Sequence, residues 1–263
     1  MVTVREHAVG AGLLIVLAGA AMGQDWIETG DAPEFPADAA QQVTGSGPLH
    51  TITGLTNTGA DDFVDAYVIE VTDAADFYAT TSSAWDPDAS AVWDTRLFLF
   101  NPTGEPLLAN DDAPGSVGTQ SFVSDPAIFP GDVDPTAQPL VNGTVVLVIS
   151  GYANDPEDAD GTDLFALGGD YDALFGPDPA AGPFDHWENM HGLVQSGEYT
   201  IALQGAAYVS VCPADFDGDG DVDTADLLFL LGAWGTPDGD VDGDNDTDTA
   251  DLLALLAAWG DCP

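Results

Sequence analysis

The chain has 263 residues, 46 of them acidic and only 2 basic, Arg5 and Arg96, for a formal net charge of −44. Repulsion on that scale excludes nucleic acid and anionic membrane surfaces as partners. Disorder does not follow, because 45% of the residues are hydrophobic and 9% aromatic, enough to build a core. The 30 glycines and 18 prolines point to many turns and short strands, over one or two domains.

The first element is an export signal over residues 1–23. Arg5 precedes an apolar run from Ala8 to Ala21 that is centred on Leu13, Leu14, Ile15, Val16 and Leu17. Small residues follow, and Ala21-Met22-Gly23 fits a cleavage site after Gly23. The run is short for a membrane span, and no later stretch reaches that length. The mature protein is therefore expected to be secreted or held at the cell surface. It would have no membrane insertion once the signal is removed, in a compartment that permits disulfides and supplies calcium.

Residues 24–47 form an N-terminal segment, and residues 48–210 read as short strands and turns. Tyr67, Ile69 and Val71 alternate with Ala66, Val68 and Glu70, and Phe77, Ala79 and Thr81 continue the pattern. Leu97-Phe98-Leu99-Phe100 leads into a turn at Asn101-Pro102-Thr103-Gly104 and then Leu107-Leu108. Val145 to Ile149 is a continuous apolar run suited to a buried strand, and Tyr199, Ile201 and Leu203 alternate again near the end. The expected fold class is mainly β, an antiparallel sandwich or jelly roll, followed by a small all-α unit. The stretch Asp94 to Gly104 with Leu108-Ala109-Asn110-Asp111-Asp112, and the ending Gly197-Glu198-Tyr199-Thr200-Ile201, resemble the bacterial pre-peptidase C-terminal (PPC) domain. That resemblance implies a noncatalytic accessory sandwich of secreted proteins, associated with adhesion, with matrix or polysaccharide binding, and with carriage of enzymes.

Arg96 is the only basic residue left after signal cleavage, and a carboxylate partner, Asp111 or Asp112, is expected for it. Asn110, Asp111 and Asp112 are also a candidate ligand set for a third calcium. No catalytic motif emerges. His186 and His191 are five apart, so they would not share a helix face, and the Gly/Pro-rich approach suggests a loop. There is no Gly-x-Ser-x-Gly elbow and no nucleophilic cysteine. Trp85, Trp93 and Trp187 could stack on sugar rings, although large aromatics in a sandwich more often fill the core.

Residues 211–263 contain an internal repeat. Thr224 to Gly235 recurs as Thr249 to Gly260 with a period of 25 residues and 10 of 12 positions identical. An acidic loop precedes each copy: Asp215, Asp217, Asp219, Gly220, Asp221, Asp223 and Asp226 in the first, and Asp240, Asp242, Asp244, Asn245, Asp246, Asp248 and Asp251 in the second. The offsets 1, 3, 5, 6, 7, 9 and 12 are those of a twelve-residue calcium loop, with a sharp turn at position 6. Position 8 turns an apolar side chain inward, for which Val222 suits better than Thr247. Leu227, Leu230 and Leu231, like Leu252, Leu255 and Leu256, follow at helical spacing. Aspartate at position 12 and the lack of room for an entering helix set these loops apart from an ordinary EF-hand.

Two such loop–helix units resemble a type I dockerin, a resemblance that covers Cys212 to Pro263. It implies two bound Ca2+ ions and docking to a cohesin-domain protein, with Thr224, Ala225 and Leu228, or Thr249, Ala250 and Leu253, at the contact. The helices offer apolar and hydroxyl groups and no basic residue, so a cohesin with a neutral or basic face is expected. Cys212 and Cys262 bracket the unit and are expected to pair, closing a loop for about 4 kcal/mol of stability. Zinc fits poorly, since the tail has no histidine. The sequence thus describes a secreted noncatalytic attachment protein, whose sandwich contacts matrix, polysaccharide or protein. A dockerin-borne polysaccharide-degrading enzyme and a structural surface component are the alternatives. The charge carries its own test. Screening within about 10 Å at 0.1 M salt reduces self-repulsion, so the melting temperature should rise in molar NaCl at fixed calcium; a flat or falling trend would show that the acidity is no burden.

Overall fold

The computed structural model describes residues 24–36, 39–45, 47–57, 63–115, 118–165, 171–188, 195–209, 212–217, 220–241 and 246–262. The expected signal, residues 1–23, lies outside the described residues. The strands in chain order are β1 (Gln24–Ile27), β2 (Gln41–Gln42), β3 (Leu49–Leu55), β4 (Val64–Val71), β5 (Tyr78–Thr80), β6 (Ser90–Ala91), β7 (Thr95–Phe100) and β8 (Pro106–Asn110). They continue as β9 (Phe122–Ser124), β10 (Gly143–Gly151), β11 (Pro156–Asp158), β12 (Phe184–Trp187), β13 (Glu198–Gln204), β14 (Ala206–Ala207), β15 (Asp221–Val222) and β16 (Gly260–Asp261). Two helices, α1 (Thr224–Gly232) and α2 (Thr249–Ala257), lie between the last two strands. The described residues are mainly β, with two six-stranded sheets and two short α-helices among them. Among the described residues no helix is long and apolar enough to cross a membrane.

The first sheet runs β1-β3-β13-β5-β9, with β6 also paired to β13; the second runs β14-β4-β10-β7-β8, with β2 also paired to β4. The N-terminal segment joins both sheets, because β1 pairs with β3 and β2 with β4. Both of these pairings are parallel, unlike the antiparallel pairing expected from the sequence.

Alternation along the central strands explains the core. Tyr67, Ile69, Leu97, Leu99, Leu147 and Ile149 face the first sheet, where they meet Ile52, Phe77, Tyr199 and Ile201. Their neighbours Ala66, Val68, Phe98, Phe100, Val146 and Val148 face the other way and are equally buried, under Phe35, Phe63, Leu164, Phe165 and Phe175. The second sheet is therefore covered on both faces, which is why β7 and β10 read as continuous apolar runs instead of alternating ones. The outer cover is built largely from the connection between β10 and β13, which carries the β11–β12 pair. The segment at His186 is part of β12, a strand, and not the loop expected from its glycines and prolines. Trp93 is core, Trp187 is half-buried with its indole N–H donating to the Phe35 carbonyl, and Trp85 lies half-open against Phe122. The Asn101 turn closes the β7–β8 hairpin as expected: the Asn101 side chain accepts from the Thr103 and Glu105 amides, and Gly104 takes a φ of +87°.

A buried polar link crosses between the two sheets. The Tyr67 and Tyr199 hydroxyls are 2.6 Å apart, and Tyr199 donates to Asp65 Oδ2 at 2.5 Å. Burial, followed by the Asp65 charge, pushes the Tyr199 phenol well above its ordinary range, so it stays a donor. Gly54 makes room: a Cβ there would come within 2.3 Å of the Tyr199 hydroxyl. Replacing Tyr199 with Phe deprives a buried carboxylate of a donor, and should lower unfolding stability in urea by about 1–3 kcal/mol. An unchanged denaturation midpoint would show the link to be neutral.

Candidate metal centres

The tail folds around its two loops. Cys212 and Cys262 form a disulfide with Cα atoms 5.8 Å apart, and β15 pairs with β16 beside it. Ala214, Val222, Leu230 and Leu255 complete a small core with Cys212. Gly220, at loop position 6, has a φ of +92°, which supplies the expected sharp turn.

The position 12 aspartates are the hubs. Asp226 is fully buried; its Oδ1 accepts from the amides of Phe216 at 2.7 Å and Asp217 at 3.3 Å, and its Oδ2 from the Asp223 amide at 2.8 Å. Asp251 repeats this with the amides of Val241 and Asp248, both at 2.7 Å. Burial pushes the Asp226 carboxyl up, but the amides of Asp223, Phe216 and Asp217 together outweigh it and hold the group below its usual range. Asp226 is thus ionised and fixed, and one of its oxygens lies within 4.8 Å of oxygens from Asp215 and Asp217. Those three residues can hold a metal ion.

The other expected ligands fare differently. Asp223 and Asp248, at position 9, cap the helices by accepting from Ala225 and Ala250 at 2.6 Å. Each also forms a capping box with its position 12 partner. Asp221 lies in β15, and Asp240 and Asp246 flank the second loop. Asp219, Asp242, Asp244 and Asn245 lie outside the described residues. Thr247 is as fully buried as Val222, because its hydroxyl is satisfied by donating to the Thr236 carbonyl and accepting from the Gly239 amide.

Thr224, Ala225, Thr249 and Ala250 are exposed, as are Leu228 and Leu253. Of the leucines at helical spacing, Leu231 and Leu256 are half-exposed, because one fully buried leucine per helix (Leu230, Leu255) fills so small a core. Trp234 and Trp259 were not singled out by spacing, yet they are exposed beside these leucines. The signal available was their identical place in the two copies.

A second acidic region lies where β7 begins and β8 ends. Arg96 is buried and donates from Nη2 to Asp111 Oδ2 at 2.9 Å and from Nη1 to Asp155 Oδ1. Its guanidinium also lies 4.8 Å from the centre of the Tyr152 ring. Burial alone would lower the Arg96 pKa; Asp155 and Asp111 more than offset this, so the group stays charged. Asp111 is the expected partner and Asp155 an unexpected second one, while Asp112 stands aside. Asp94, Asp111 and Asp112 bring one oxygen each within 4.8 Å of one another, and so do Asp155, Asp163 and Glu188. Burial and then mutual repulsion push Asp94 up to about 7, and Asp112 and Asp163 each up to about 6. Asn110 is bound to the backbone: its amide donates to the carbonyls of Asp112 and Ala173, and its oxygen accepts from the Phe122 amide. Asn110, expected beside Asp111 and Asp112 as a ligand, thus spends its side chain on backbone groups.

No protein-family model matches the chain, and no curated protein matches it. The geometry of the tail separates two kinds of aspartate by experiment. Asp223→Ala or Asp248→Ala, which removes a cap, should cost about 1 kcal/mol each. Asp226→Ala strips three amides of a charged acceptor and should cost about 3 kcal/mol or more. Far-ultraviolet circular dichroism in denaturant reads both, and equal losses would deny the hub role of position 12.

Proposed function

We propose that this is an exported, noncatalytic attachment protein. Its tail is a type I dockerin that binds one calcium in each loop and docks onto a cohesin-domain partner. Its two-sheet body is a PPC-like jelly roll that contacts matrix, polysaccharide or another protein outside the cell. All twelve loop aspartates, from Asp215 to Asp226 and from Asp240 to Asp251, belong to the calcium assignment. Position 12 closes each ligand shell, and position 9 acts through the cap and water.

The observation that carries the reading is a matched pair of exposed apolar stripes. Leu228 and Leu231 on α1, with Trp234 just past its end, correspond to Leu253 and Leu256 on α2, with Trp259 just past its end, each one repeat away in the chain. Exposures of 65% and 63% for the first pair and 46% and 47% for the tryptophans match closely. Apolar side chains left open in duplicate, on so acidic a chain, favour a protein partner over solvent. The duplication offers that partner two equivalent faces, one led by Thr224 and Ala225 and the other by Thr249 and Ala250.

Titration of the protein against cohesins from the same organism tests this. Bulky charged substitutions at Leu228 alone, or at Leu253 alone, should weaken binding little, whereas both together should weaken it strongly, since the second mode no longer compensates. Chelation should abolish binding and reduce helix content together, because metal binding is coupled to folding of the loops. Full loss from one single substitution would end the two-face reading, and failure to bind any cohesin would end the docking reading.

A further inference from the structure

The β7–β8 hairpin opens onto more negative charge than its one cation can offset. Leu97 pairs with Asn110, and the two chains run on side by side, so that Arg96 meets Asp111. Asp94 precedes β7, and Asp112 follows β8. One oxygen from each of Asp94, Asp111 and Asp112 lies within 4.8 Å of the other two. Oxygens bound to a single calcium at roughly 2.3–2.6 Å stand at most about 5 Å apart, so the triad has the span of one coordination sphere.

Proximity of acids alone would mean little, but each of these carboxylates also carries a desolvated oxygen. Asp111 is 1% exposed, and while its Oδ2 is held by Arg96, its buried Oδ1 has no hydrogen-bond partner in the protein. Asp94 Oδ1 and Asp112 Oδ1 are likewise buried without a partner. Unpaired carboxylate oxygens withdrawn from water are costly, and three beside one another repel as well. A cation among them removes both penalties.

We propose that Asp94, Asp111 and Asp112 bind a calcium ion at the open end of the β7–β8 hairpin, independently of the tail. The donors are all hard oxygens, with no sulfur or imidazole among them, which favours calcium over zinc. Asp94 and Asp112 are half-buried, so water can complete the shell from their side. The ion also secures Asp111 as an anion for Arg96, and Arg96 holds Asp155 in the connection that covers the outer face of the second sheet. Its role is to pin that cover to the sheet.

The experiment uses the full chain carrying Asp226→Ala and Asp251→Ala, which disables both tail loops whether or not they dock. After treatment with chelator, calorimetric titration with calcium chloride should show one ion bound, and calcium should raise the melting midpoint of the sandwich. Adding Asp94→Asn and Asp112→Asn, which leave Arg96 its partners, should weaken binding about tenfold or more and remove the midpoint shift. Retained folding of this variant is checked by its melt in calcium-free buffer, where reduced repulsion should keep the midpoint level or raise it. No calcium bound by the loop-disabled chain would overturn the site, and so would binding of unchanged strength after the two Asp→Asn substitutions. A loop-disabled chain that binds calcium but no cohesin leaves this site standing and says nothing against docking by the intact tail.

Discussion

Forty-six carboxylates share this chain with two basic side chains, so nearly every buried acid must find a partner that is not a cationic side chain. Backbone amides take most of that duty. Asp158 accepts from the amides of Asp160, Thr162 and Gly182; Asp125 accepts from Ala127 and Leu140; and Asp226 accepts from three amides at once. Asp65 uses a tyrosine hydroxyl. Charged acceptors make stronger hydrogen bonds than neutral ones, so an acid used in this way tightens the turn that holds it. Among the described residues, Asp125 and Asp158 tie down their turns in this way.

The same constraint explains why Arg96 sits where it does. A sheet covered on both faces needs an outer layer, and here the layer is mostly non-strand chain carrying the short β11–β12 pair. Phe165, Phe175 and Trp187 anchor its middle. At the strand ends apolar contact gives out, and Arg96 reaches both the sheet side, at Asp111, and the cover side, at Asp155. A single buried cation bridging two anions is far less dispensable than a surface pair, because removing it would leave both charges unpaired in a desolvated setting.

Much of this was legible in the sequence, for reasons that are local. The runs at β7 and β10 announce strands by composition, and the repeat announces its loops by spacing. The parallel pairings of β1 and β2 were not legible. Strands of four and two residues carry no pattern of their own and depend on partners 25 or 26 residues away. Asp155 was missed as the second partner of Arg96 because it lies 59 residues downstream and only the fold brings it near. Thr247 looked a weaker interior choice than Val222 because its partners, the Thr236 carbonyl and the Gly239 amide, belong to the linker between the repeats. The half-exposure of Leu231 and Leu256 follows from core size, which periodicity alone does not reveal.

The closure of the tail has a consequence for how such a unit can be moved between proteins. Its entry at Cys212 and its exit at Cys262 lie together, joined by a covalent bond and flanked by the β15–β16 pair, with the Cys262 amide donating to the Gly220 carbonyl. A module whose two ends meet at one spot imposes no span on its host. It could be spliced into a surface loop of another protein as readily as appended to a terminus, and new ends could be opened in the linker between α1 and α2 without parting the old ones.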